Sequence, residues 1–450
     1  MNKAFKPETA VSEIGGIAYY NDGVVFQNIF SMLNSSANSK ELLDYLENFF
    51  SIYPFQRMDL LSIYFHFMTT VGNSKLAYEA IRIFVETTER LAHIGANQFN
   101  APLVVEHNGF LQRIGEAVDQ AALTHCYLKL GKLKSKPIIY SANPLKLANK
   151  AFLPYLEDCF EIIINPSLAN YFKSIGPISP YQPGFFKLSE TQYGHNGNFF
   201  FKCREDLSSK GISLQPFELK GITVEKAMEF LKSYGLSLGD EFVVLHLREV
   251  GYFDGAHHQL RNATPQEFMD SVDYFLNQGL KVVRIGHSKM TPMSERSGFI
   301  DLTRVEKPDE VDLFLCGKAK FYFGSGSGPA SLALNFGVPC CEARRIEVHG
   351  ARENHFVQNI HFREKKSGTT LKFEHFWNND VEHIQAPAIF KKLDWLPAFP
   401  TAEENLRFAK ESLEYVTKGE IFKINESCKA QLEKYEIWGG MSSESLPLLY

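Results

Sequence analysis

The sequence has little that would tie it to a lipid interior, a polyanion or an oxidising compartment. No stretch approaches the roughly 18 uninterrupted apolar residues of a membrane-spanning helix, and the opening MNKAFKPETA carries no apolar core of a secretion signal. Both absences set the expectation of a cytoplasmic protein, free or peripheral at the inner face of a membrane. Lys+Arg number 47 against 52 Asp+Glu, a net charge of -5, so nucleic acid is not an expected partner. The seven cysteines are odd in number and irregularly spaced, which excludes a disulfide framework and a Cys-x-x-Cys metal knuckle. Cys340 and Cys341 fall in the apolar run Val338-Pro339-Cys340-Cys341, which reads as buried strand rather than a redox pair.

What the chain does have is core. With 44% hydrophobic and 13% aromatic residues over 450 positions, it reads as a folded protein of two or three domains. Residues 39 to 95 show helical stripes (Leu42, Tyr45, Leu46, Phe49; then Ala77, Ile81, Phe84, Leu91) without a repeat register, so residues 1–98 are expected as an N-terminal helical extension. From about residue 101, strand alternates with helix: a strand at Pro102–Val105, a helix from Ile114 to Leu130 closed by Gly131, a strand at Lys136–Tyr140, a helix from Pro144 to Leu156 and a strand at Phe160–Ile164. The pattern resumes after Thr223 with strands at 241–247, 281–285, 299–302, 320–323 and 338–341. Between the first two, Thr264-Pro265-Gln266-Glu267 forms a capping box. The fold class expected is α/β, with a Rossmann-like domain over 99–222, a second over 223–400, a cleft between them, and a C-terminal helix (402–417) and tail over 401–450.

In open parallel sheets ligands bind beyond the carboxyl ends of the strands, and that rule nominates residues. His246 and Arg248 end the first strand of the second domain, Arg284 and Gly286 the second, Asp301 and Thr303 the third, Gly324 and Ser325 the fourth, and Glu342 the fifth. The sharpest element is Gly324-Ser325-Gly326-Ser327-Gly328 before Pro329. Its glycines permit close approach, its hydroxyls donate, and a helix start offers unpaired N–H groups to an anion. It is not a P-loop, since no Gly-Lys-Ser/Thr follows, and the dinucleotide fingerprint fails at Pro329. Glu342 keeps NAD open as a ligand, because an acid there could reach ribose hydroxyls, but a UDP- or GDP-sugar also has a ribose, so Glu342 does not discriminate between them. The loop from Glu249 to Ala263 offers Arg261 and Asn262 for anionic or hydroxyl-rich ligands, while adjacent His257 and His258 splay apart and make no metal site.

The block Val244-Leu245-His246-Leu247-Arg248, Arg261-Asn262, Val282-Val283-Arg284-Ile285-Gly286, Ile300-Asp301, Phe323 to Gly328 and Phe336-Gly337-Val338-Pro339 resembles a family of bacterial glycosyltransferases of the GT-B fold, over about residues 100 to 345. It is more distantly similar to fucosyltransferase-type enzymes, which carry a second basic residue where this chain has Glu249. The resemblance implies a GT-B-like pair of domains, the first binding the acceptor and the second a nucleotide-diphosphate-sugar. It implies that Arg248 holds the diphosphate with Ser325 and Ser327 near it, and that no metal or other cofactor is needed. His246, Arg284, Gly286, Gly326, Gly328 and Glu342 are expected around the donor, Arg248 and Arg261 on the leaving group, and Glu116 as the base on a glycan, lipid-linked or protein acceptor. Glu106, His107 and Asp119 are the other acids and bases of that region. A nucleotide-sugar epimerase or hydrolase, an NAD enzyme and a non-catalytic interaction protein with a vestigial site stay open as alternatives.

Overall fold

A computed structural model of the chain describes residues 11–14, 17–20, 104–106, 110–131, 135–167, 185–187, 193–195, 206–213, 215–250, 260–348, 354–379, 387–418, 430–432, 434–435 and 439–449. The helices expected over 39–95 lie outside them, as do Tyr252, Asp254, His257 and His258. The chain divides into two compact units. The first comprises Met1–Asn108, Leu133–Leu145 and Phe160–Phe199, and the second Gly109–Lys132, Lys146–Cys159 and Phe200–Tyr450.

In the first unit β1 (Val11–Ile14) and β2 (Ile17–Tyr20) form an antiparallel pair inside the stretch expected as a helical extension. Three strands, β3 (Val104–Glu106), β4 (Ile138–Ser141) and β5 (Glu161–Ile164), make a parallel sheet in that order, with Ile139 between Val105 and Ile162. The apolar runs that form them are the three expected from the sequence. A further antiparallel pair joins β6 (Phe185–Lys187) and β7 (Tyr193–His195).

The second unit begins with α1 (Ile114–Leu130), whose end is set by Gly131 at φ 74°, its N–H donating to the carbonyls of Tyr127 and Leu128. α2 (Leu153–Cys159) follows a 3-10 turn over Lys150–Phe152, later than the Pro144 start expected. Tertiary bonds explain the delay. The Ala148 N–H donates to Leu111 O, Asn149 Nδ2 to Asp309 O, and the Lys150 N–H to Asp309 Oδ2, which holds this segment out of a helix.

α3 (Gly221–Leu231) leads to β8 (Phe242–His246), and α4 (Met269–Asn277), β9 (Lys281–Arg284), β10 (Phe299–Asp301), α5 (Asp309–Lys318), β11 (Phe321–Ser325), α6 (Gly328–Asn335) and β12 (Cys340–Arg345) follow. The capping box is made as read: the Thr264 N–H and Oγ1 both reach Glu267 Oε2, at 2.6 and 2.8 Å, and open a 3-10 turn into α4. Beyond β12 come β13 (His355–Asn359), β14 (His361–Glu364), α7 (Phe373–Asn378), α8 (Pro387–Lys392), β15 (Trp395–Ala398), α9 (Ala402–Lys418) and β16 (Gly440–Met441). Seven strands form one sheet in the order β10-β9-β8-β11-β12-β13-β16, every neighbouring pair parallel. The fold class is therefore α/β with a doubly wound parallel sheet.

Helices cover both faces. On one, Val243, Leu245, Phe321 and Phe323 pack against Phe268, Val272 and Phe275 near and in α4 and Phe408 of α9. On the other, Phe242 stacks on Phe314 of α5, with ring centroids 6.4 Å apart. Full burial of each such side chain contributes roughly 1.5–3 kcal/mol. Cys340 and Cys341 lie in this core as read, and burial pushes the Cys341 thiol up to about 12, far from a reactive thiolate.

Candidate functional site

Strand order places the site. β8 runs outward through β9 to β10 on one side and neighbours β11 on the other, so the chain reverses direction across the sheet between β8 and β11. At such a switch point the loops leave toward opposite faces and open a crevice at the strands' carboxyl ends. His246 ends β8 directly opposite Gly324 of β11. The two strands meet there without room for a side chain: Gly324 has φ 139°, and a Cβ on it would stand 2.0 Å from His246 O.

The glycine-serine turn and Arg248 lie side by side. The Arg248 N–H donates to Ser325 Oγ at 3.2 Å, and Arg261 Nη1 donates to Gly326 O at 3.2 Å. Tyr322, on the same face of β11 as Gly324, donates its hydroxyl to Ser325 O at 2.6 Å and lies 3.2 Å from Ser327 Oγ. Burial raises the Tyr322 phenol well above its ordinary value, so it stays a neutral donor that fixes the turn. Ser327 is then the N-cap of α6, with Gly328 and Pro329 in its first turn. Two arginines, two serines and a helix start thus converge within one loop set.

α1 adds a second helix start. A Cβ on Gly115 would come 3.0 Å from Gly328 Cα, and one on Gly328 2.5 Å from Ile114 Cγ2, so the helices touch start to start. Farther along, Asp119 accepts from Ser331 Oγ at 3.1 Å and Asn335 Nδ2 at 2.9 Å. Gly328 therefore serves the packing of α1 on α6. Glu116, one residue beyond that contact, is partly exposed and accepts from Arg113 Nη1 at 2.7 Å.

Other residues singled out from the sequence have different work. Arg284 is fully buried. Its Nη2 pairs with Glu249 at 2.6 Å, and its Nη1 with Asp301 at 2.9 Å and with Thr291 O. It ties β9 to β10 and to the segment after β8, which corrects the expectation that it lies against the donor. Gly286 is filled from the protein side, since a Cβ on it would stand 2.2 Å from Met290 Sδ. Glu342 is buried beneath Gly326, paired with Arg345 at 2.9 Å and His355 at 2.8 Å. Burial favours its neutral form, but Arg345, His355 and Arg261 overcome this and hold its pKa at about 2. It is a fixed anion under the turn, with Oε2 taken by both partners and Oε1 facing Gly326.

Arg344 is a residue the sequence did not reveal. Held at φ 59°, it reaches Asn262 O and Glu267, bracing the segment that carries Arg261. Tyr322 and Gly115 were missed as well. Only the shared face of Tyr322 and Gly324 in a period-two strand could have pointed to the first, and nothing local to the second. Among the described residues no group of three or more His, Cys, Asp or Glu is placed to hold a metal ion. No described helix is long and apolar enough to cross a membrane.

His246 differs from its cationic neighbours. Burial, with Arg248, Arg284 and His287 nearby, outweighs the bond to Ile285 O and lowers its pKa from 6.5 to about 4. The imidazole is neutral in the folded state while the unfolded chain takes up a proton below pH 6.5. Stability from this residue is complete above pH 6.5 and is lost as pH falls toward 4, on the order of 3 kcal/mol in all. Urea midpoints at pH 7 and pH 4.5 should show that decline in the wild type and a smaller one in His246→Gln.

No protein-family model matches the chain, and no curated protein is significantly similar to it. Among solved structures it is similar to a family 9 glycosyl transferase from Veillonella parvula, at 13% identity over 69% of this chain and 96% of that one, with a TM-score of 0.38. It is also similar to the ADP-heptose LPS heptosyltransferase II of E. coli, at 8% identity over 54% and 84% of the chains and a TM-score of 0.29. An iron-containing dodecameric glycosyltransferase of enterotoxigenic E. coli aligns at 12% identity over 54% and 58%, with a TM-score of 0.30. Likenesses this distant assign no chemistry to the chain. Its own residues define a doubly wound α/β protein with two arginines, a glycine-serine turn and a helix start brought together at the switch point.

Proposed function

We propose that the protein is a glycosyltransferase that moves a sugar from a nucleotide-diphosphate-sugar to the hydroxyl of a glycan, lipid-linked or protein acceptor, in the cytoplasm or at the inner face of a membrane. The observation that carries this reading is the junction of Arg248 with the glycine-serine turn, the Arg248 N–H bonded to Ser325 at 3.2 Å and Arg261 bonded to the turn at Gly326. Two forked guanidinium groups and a helix start suit a diphosphate better than a single carboxylate or a neutral ligand.

In the reaction proposed, the bond between the sugar's anomeric carbon and the diphosphate oxygen breaks, its electron pair leaving on the diphosphate. A bond forms from the acceptor oxygen to that carbon, and the acceptor proton passes to Glu116. Arg248, Arg261 and the α6 start meet the charge that builds on the leaving group, which is where electrostatic stabilisation has its largest effect. Glu116 belongs to this step by its place at the α1 start, one residue from the contact with Gly328. Nothing in the scheme calls on a metal.

Glu342 does not separate a dinucleotide from a nucleotide-sugar, since both carry a ribose. A fucosyl donor is not favoured, since Glu249 stands where a second basic residue would be and is paired with Arg284. Thermal-shift screening against ADP, UDP, GDP, CMP and their sugar conjugates tests the reading. At a hundredfold excess over Kd, a true ligand adds about 2.7 kcal/mol, a rise of several degrees in Tm. A rise with NAD alone, or with no nucleotide of the panel, would contradict it.

A further inference from the structure

His246 stands at the switch point, 8% exposed, with one ring nitrogen engaged. Its Nδ1 lies 3.1 Å from Ile285 O. A backbone carbonyl only accepts, so Nδ1 must carry the hydrogen, and a neutral ring then leaves Nε2 as a bare lone pair. Nε2 makes no hydrogen bond among the described residues. The main chain of the same residue backs Gly324, and Arg248 follows two positions on, bonded through its N–H to Ser325. An acceptor without a partner among the described residues, set beside Arg248 and the glycine-serine turn, is placed to meet a ligand. Phosphate oxygens at neutral pH only accept and would be repelled by Nε2, so the group that meets it must bring its own hydrogen.

Resting on the nucleotide-sugar reading above, we infer that His246 is a specificity-determining residue whose Nε2 accepts a hydrogen bond from a hydroxyl of the donor's sugar. The cationic groups take the diphosphate and the imidazole takes the sugar, so together they fix which way round the donor lies. A site built to accept from a hydroxyl rejects ligands that lack one, because a ligand that covers the acceptor without donating to it leaves it unpaired. In the ligand-free protein burial keeps the ring neutral, so the acceptor is in place when the donor arrives.

Calorimetry with ADP, UDP and GDP against ADP-heptose, UDP-glucose and GDP-mannose tests the assignment on wild type, His246→Phe and His246→Gln. For the conjugate that wild type binds best, His246→Phe should weaken binding about tenfold or more. The matching free diphosphate should bind within about twofold of wild type. His246→Gln, whose amide oxygen reaches the Nε2 position, should recover most of the loss and serves as the control for folding. Ring nitrogen NMR of the wild type should show the Nδ1–H tautomer, with Nε2 shifting on addition of the conjugate and not of the diphosphate. Equal losses for conjugate and diphosphate, or an Nε2–H tautomer, would overturn the inference while leaving the glycosyltransferase reading intact. Failure of wild type to bind any of the six would sink that reading and this inference with it.

Discussion

Arg248→Ala is expected to lower kcat/KM for glycosyl transfer about 10²–10³-fold, roughly the 3–4 kcal/mol by which one lost contact to a developing charge raises a barrier. The substitution leaves the turn standing, because the bond that ties this position to Ser325 comes from the backbone N–H rather than the guanidinium. Thermal stability should therefore stay close to that of the wild type, which separates a binding defect from a folding defect. Arg248→Lys restores the charge without the two-pronged geometry and should recover only part of the rate. An alanine variant that turns over normally would remove the residue from the mechanism.

Gly324→Ala is expected to produce the largest loss of stability of any single change at the site. The backbone there has φ 139°, outside the range L side chains favour, and the added Cβ would stand 2.0 Å from the backbone oxygen of His246. Two central strands would have to part, so strain and overpacking add to about 3 kcal/mol or more, a fall of roughly 3–5 °C in Tm for a protein of this size. Gly326→Ala makes a useful companion. Its Cβ would meet Glu342 Oε1 at 2.2 Å, and that carboxylate is held in place by Arg345 and His355. Calorimetric melting of both variants measures the effect; a melting temperature unchanged by Gly324→Ala would mean that β8 and β11 do not meet as described.

Local signals were legible where local forces decide the structure. α1 begins and ends where apolar spacing and Gly131 place it, and Thr264 with Glu267 makes its capping box because both partners lie within one turn. The pairing of Arg248 with the glycine-serine turn could be read because sheet topology brings successive strand ends to one rim. Arg284 misled for the opposite reason. A charge at a strand end looks like a ligand group until its acids are known, and Glu249 and Asp301 lie 35 and 17 positions away. β13 went unread because His355, Gln358 and Asn359 make it look polar. All three are buried, and side-chain bonds to distant segments, Asn359 Nδ2 to Glu347 O at 3.0 Å and Gln358 Nε2 to Glu404 O at 3.2 Å, offset part of the cost of that burial. Contacts between distant segments, such as Gly115 against Gly328, leave no periodic trace at all.

A crystal structure of the protein with a bound nucleoside diphosphate bears most directly on the site. The phosphates should lie against the Arg248 guanidinium and the N–H groups of the turn from Gly326 to Gly328, within hydrogen-bonding distance of about 3 Å. Phosphates bound elsewhere on the protein, with Arg248 and the turn both out of reach, would contradict the assignment outright.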